Sequence, residues 1–181
     1  MAVTNPSVIH DYSYNNYFVD HIYATDSETL QQHWIEAGWA EVSWLVDTQY
    51  VFTYDSTNQT WYFYSSMLNP LYVRLVASGT TWYAQEWLGT YWSQLGWGVD
   101  LGYSQAVIMY SGGEVYHTAY GNHPSLPSTN TDISQLYISG NWVNWDTQFS
   151  STTSVKILPT GATQYGLTTY TSYYNFSIYS N

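Results

Sequence analysis

The 181 residues hold thirteen Asp and Glu against only two basic residues, Arg74 and Lys156, and the formal charge of −11 argues against nucleic acid or an anionic membrane as partner. Cysteine is absent, which excludes disulfides, a thiol nucleophile and thiolate metal sites. Only 8% of residues are charged, while 21 Tyr and 10 Trp weight the 45% hydrophobic content toward aromatics, a composition that suits pleated sheets better than helices. With so few cation-paired carboxylates to lose and so few cations to repel, the chain suits persistence in acid; it equally suits an acidic protein at neutral pH.

The length predicts one domain, residues 1–181, beginning with an N-terminal segment over 1–30. "MAVTNPSVIH" lacks the basic and apolar regions of a signal peptide, and no apolar run approaches the roughly 20 residues of a membrane span. Richness in Tyr, Ser, Thr and Asn points to an extracellular protein, expected as a mature domain behind an added Met. The sequons at Asn58 and Asn175 permit glycosylation. Residues 25–33, "TDSETLQQH", could form one short helix capped by Asp26 or Ser27.

From Trp34 onward, short aromatic or β-branched runs alternate with turn residues, the pattern of a sandwich or barrel. Strands are predicted over 33–45, 49–54, 61–66, 71–77, 81–88, 104–111, 113–119, 134–139, 142–148 and 164–179, the last in one or two pieces. "DSTNQ", "SGT", "SGG" and "SGN" supply the turns between them, with a hairpin turning at Ser78-Gly79. Residues 120–131, "YGNHPSLPSTNT", are expected to form a surface loop.

No Gly-rich phosphate loop, GxSxG elbow or HExxH motif is present. Glu114, His117 and His123 form the one loose metal-like set, but strand alternation points Glu114 and His117 to opposite faces, so no metal is expected. Carboxylates remain. Two acids held close cannot both ionise, and a pair sharing one proton can deprotonate water and protonate a leaving amine, which is peptide hydrolysis without a metal. In "WIEAGW" a strand would put Trp34, Glu36 and Gly38 on one face, with Glu41 further along on the other. Glu36 then has an aromatic wall and a glycine that leaves open space beside it. Glu114 in "SGGEVY" has the same kind of setting, although Glu86 in "YAQEWLG" is an equal rival on the residues alone. The other acids are plainer: Asp26 and Glu28 suit a helix start, and Asp47, Asp55, Asp100 and Asp132 suit turns.

"IEAGWAEV", followed by "GGEVYHT" and then "YGNHP", resembles the neprosin family of glutamic peptidases over roughly residues 30–140. "YVFTYDSTNQTWYFY", "TWYAQEWLGTYW" and His123-Pro124 fall in the family's order. The resemblance implies an all-β antiparallel sandwich of jelly-roll or concanavalin-like kind, two large sheets with an open cleft across the concave one, and acid cleavage of peptides, often after proline. Carried over by motif, it makes Glu36 and Glu114 the catalytic pair. Trp34 and Tyr116, on the same strand faces, become candidate walls of the substrate cleft. The family's cysteines are absent here, Tyr110-Ser111 stands where a Trp precedes the two glycines, and the stretch after His117 is short. Loss of disulfides suits a thermoacidophilic source. The expected protein is thus a secreted, monomeric, acid-active glutamic endopeptidase acting on peptides or proteins, without cofactor. The alternative is a carbohydrate-binding sandwich, since sandwiches with aromatic faces also stack sugars.

Overall fold

The computed structural model describes residues 1–4, 15–25, 33–45, 49–65, 68–106, 108–117, 124–125, 128–144, 165–169 and 176–180. Among them are fourteen strands and no helix. In chain order they are β1 (Ala2–Thr4), β2 (Asn16–Thr25), β3 (Trp34–Val42), β4 (Gln49–Asp55), β5 (Thr60–Tyr64), β6 (Leu71–Ser78), β7 (Thr81–Trp87), β8 (Trp92–Asp100), β9 (Ile108–His117), β10 (Thr129–Ile133), β11 (Gln135–Ile138), β12 (Asn141–Asn144), β13 (Tyr165–Thr169) and β14 (Phe176–Ser180). A seven-stranded sheet runs β13-β14-β10-β1-β6-β7-β8 and a five-stranded sheet runs β5-β4-β3-β2-β9, with β11-β12 as a separate hairpin. All pairings are antiparallel.

The core lies between the two sheets. The five-stranded sheet contributes Phe18, Ile22, Ala24, Ile35, Ala37, Trp39 and Val51; the other contributes Leu71, Val73, Leu75, Trp82, Ala84, Leu95, Val99, Phe176 and Ile178. Each large side chain among these stabilises the fold by roughly 1.5–3 kcal/mol relative to exposure. A second, smaller cluster of Val19, Ala40, Val42 and Phe52 lies on the opposite face of the five-stranded sheet, so its central strands are buried on both sides.

Several sequence expectations change. The N-terminal segment supplies β1 and β2, and β2 is an interior strand between β3 and β9. Its "NYFVDHIYAT" shows no apolar–polar alternation because both faces are covered. Residues 104–111 and 113–119, expected as two strands around an "SGG" turn, form the single strand β9, which pairs without a break along β2. Ten backbone pairings to β2 hold the glycines extended where turn chemistry alone would have broken the strand. β8 and β10 were not expected; β10 takes the last residues of the predicted loop 120–131 and places Asp132 in a strand. The helix expected over 25–33 falls largely outside the described residues, and Thr25 closes β2.

Local chemistry explains the turns that were foreseen. After β4, the Asp55 carboxylate accepts bonds from the backbone N–H of Thr57 (2.8 Å) and Asn58 (3.1 Å) and from Asn58 Nδ2 (2.6 Å). The β6–β7 hairpin turns at Gly79-Thr80, one residue later than expected, with Gly79 at φ 62° where a side chain would be strained. No helix among the described residues is long and apolar enough to cross a membrane.

Candidate active site

Register sorts the outer face of the five-stranded sheet into rows. One row crosses all five strands as Tyr110, Tyr23, Glu36, Tyr54 and Trp61. The next is Gly112, His21, Gly38, Phe52 and Phe63, and the one beyond it begins Glu114, Val19, Ala40 and Tyr50. Glu36 and Glu114 therefore share a face, on the strands either side of β2, with the His21 row between them.

Glu36 is 6% exposed. Its Oε1 accepts a hydrogen bond from Trp34 Nε1 at 2.7 Å, and its Oε2 lies 2.9 Å from His21 Nδ1. Thr53 Oγ1 donates to its carbonyl oxygen at 2.7 Å, which pins the backbone. The buried carboxylate is thus met by an ion pair and an indole N–H rather than left orphaned. Burial by itself would lower the His21 pKa, but the charge of Glu36 and its hydrogen bond, with Glu114 and Asp20 adding, hold it above the ordinary value.

Glu114 is exposed and accepts from Tyr17 Oη at 2.6 Å. Burial first, and then the Glu114 charge, raise the Tyr17 phenol well above its normal range, so this hydroxyl stays a donor. The carboxylate of Glu36 bonds to Trp34 and His21 and that of Glu114 to Tyr17, where the sequence pointed to two acids held close enough to share one proton.

Both predicted wall residues lie on this face. Trp34 is half-buried, with its ring 6.1 Å from Tyr23 and 5.7 Å from Tyr54. Tyr116 is exposed and stacks on Tyr17 at 5.4 Å, and Tyr17 also meets Trp44 and Trp61 edge-on. Aromatic groups thus stand at both ends of the acidic centre.

The two glycines beside His21 differ in purpose. A Cβ at Gly38 would lie 2.0 Å from the Asp20 carbonyl oxygen and 2.7 Å from His21 Cα, so this glycine permits close approach of β2 and β3 instead of leaving open space. At Gly112 a Cβ would meet nothing within 4 Å, and the open space is there.

The rival acids face elsewhere. Glu86, on β7 of the other sheet, is 2% exposed with Oε1 unpartnered, and burial raises its pKa. Glu41 is buried on the core side of β3, within hydrogen-bond reach of Gln49 Nε2 at 3.2 Å. His117 ends β9 and His123 lies outside the described residues, among which no group of three His, Cys, Asp or Glu is arranged to hold a metal. Sequence reasoning missed His21, Tyr17 and Tyr23, all on β2; the unbroken aromatic and β-branched run around "DH" was the signal available.

No protein-family model matches the chain, and no curated protein matches it in sequence. The neprosin resemblance therefore stands on its quoted motifs. In structure the chain is similar to the crystal structure of aspergilloglutamic peptidase from Aspergillus niger, with a TM-score of 0.60 and 11% sequence identity over 91% of this chain and 99% of that one. The all-β architecture of packed antiparallel sheets is shared with that structure.

Proposed function

We propose that this protein is a glutamic-type endopeptidase, secreted and acid-active, in which Glu36 and Glu114 act on a water molecule and a peptide bond. The observation that carries the reading is that the two motif glutamates face the same way across β2, in a fold shared with a glutamic peptidase. One carboxylate, ionised, takes a proton from water as its oxygen attacks the carbonyl carbon; the other, protonated, gives its proton to the amine nitrogen as the C–N bond breaks. Water is consumed and the pair ends with its roles exchanged. The exposed rings of Tyr110 and Tyr116 and the half-buried Trp34 give an extended peptide flat apolar surfaces, on which prolyl rings would pack well.

The test is digestion of an unfolded protein at about pH 3, where one of two carboxylates can hold a proton. Wild type is compared with Glu36→Gln and Glu114→Gln, circular dichroism verifies folding, and mass spectrometry maps the cuts. Both folded variants should lose about 10²-fold or more in rate, and wild-type activity should fall as pH rises to neutrality. A wild type inert across the acid range, or variants as active as wild type, refutes the reading.

One observation favours a second reading, glycan binding. Tyr72, Trp87 and Trp92 line a shallow pocket on the outer face of the seven-stranded sheet. Beside it the Arg74 guanidinium stacks 4.2 Å from the Trp92 ring centroid and donates through Nε to Gln85 Oε1 at 2.8 Å. Binding to a glycan panel that is lost in Trp92→Ala and kept in Glu36→Gln would select it.

A further inference from the structure

His21 stands in the row between those of the two glutamates. Its Nδ1 is fixed by Glu36 Oε2 at 2.9 Å, which leaves Nε2 as the ring nitrogen for a different partner, and the side chain is 9% exposed. Its cross-strand neighbours are both glycines, Gly38 on β3 and Gly112 on β9, so no side chain from either closes over the ring, and the space at Gly112 is open. The ionisable groups around it are carboxylates and phenols: Glu36 on β3, Glu114 on β9, and Asp20 and Tyr23 on its own strand, with Phe52 of β4 packed 6.4 Å from the ring.

We propose that His21 is a third catalytic residue, an imidazolium oriented by Glu36 whose Nε2–H donates a hydrogen bond to the carbonyl oxygen of the bond being cut. The inference rests on the peptidase reading given above. As water adds to the carbonyl carbon, the C=O π pair moves onto oxygen, and the imidazolium N–H meets that negative charge without giving up its proton. When the C–N bond breaks, the pair returns to the carbonyl and the amine takes its proton from the acidic glutamate. The histidine is unchanged at the end. Carboxylates on two sides keep the ring protonated in acid, so the donor is preset before substrate arrives.

The test combines kinetics with NMR. His21→Asn should stay folded by circular dichroism and lose about 10²–10³-fold in kcat with KM within about twofold, the usual cost of one oxyanion donor. In wild type, ¹⁵N NMR should show a protonated His21 imidazole in acid. Its Nε2 resonance should shift, and its Nδ1 resonance stay fixed, when a peptide aldehyde is added, whose hydrate mimics the tetrahedral adduct. A purely structural histidine would show no shift confined to Nε2. If wild type cleaves and folded His21→Asn cleaves equally well, the inference fails alone. If wild type cleaves nothing, the peptidase reading fails and takes the inference with it. Should His21→Asn not fold, an Nε2 resonance indifferent to the aldehyde, or a neutral imidazole in acid, overturns the proposal.

Discussion

Replacing Asp20 by Asn should flatten the pH dependence of stability. Asp20 is fully buried on the core side of β2, where Thr129 Oγ1 and Thr131 Oγ1 reach its Oδ2 only at 3.4 and 3.3 Å and Oδ1 has no partner. Burial is the largest influence and pushes its pKa from 3.8 up to about 6, while the charge on His21, the two threonine hydroxyls and the Met1 amino group pull the other way. A raised carboxyl pKa means that the folded state binds the proton more tightly than the unfolded chain. Its stabilisation is therefore complete below the unfolded pKa and disappears as pH rises through the folded one. Between roughly pH 4 and 6 the loss is about 3 kcal/mol, from about 1.4 kcal/mol per pH unit of displacement. Urea unfolding followed by tryptophan fluorescence at several pH values should show wild type losing about that much relative to Asp20→Asn across this window, the variant being the more stable at pH 7. Equal slopes for the two proteins would refute the assignment of a buried, poorly solvated carboxylate to this position.

Two further outcomes follow from the same packing. Gly38→Ala drives a methyl group into the β2 backbone, and overpacking there should cost at least about 1–3 kcal/mol in urea unfolding. A variant as stable as wild type would mean that β2 and β3 are not so close. Glu86→Gln removes a buried acid whose pKa burial raises, so its urea midpoint should exceed that of wild type at neutral pH and match it in acid; a gain confined to acid would reverse the sign and sink the account.

Much of the site's framework was legible in the sequence. "WIEAGW" shows by alternation that Trp34 and Glu36 share a face and Glu41 does not, because strand side chains repeat every two residues whatever the strand pairs with. The turn at Asp55 was readable for a similar reason: its Asx-type bonds close within three residues. β2 was not. An interior strand covered on both faces loses the alternation that marks a strand, and the polar pair Asp20-His21 in its middle reads as a loop until the partners of each are known. Nor could the text "GG" distinguish a turn from the extended backbone of β9, which is set by its pairing to residues more than eighty positions earlier.

Composition and local pattern, acting over two to four residues, determined the all-β class, most of the strands from Trp34 onward and the face on which Glu36 lies. Tertiary structure alone decided what lies between Glu36 and Glu114, since β2 enters from the N-terminal segment to separate β3 from β9 and places His21 in the row between them. It also decided which buried carboxylates keep an oxygen without a hydrogen-bond partner, Asp20 and Glu86, because desolvation depends on the whole packed sandwich and on no run of neighbouring residues.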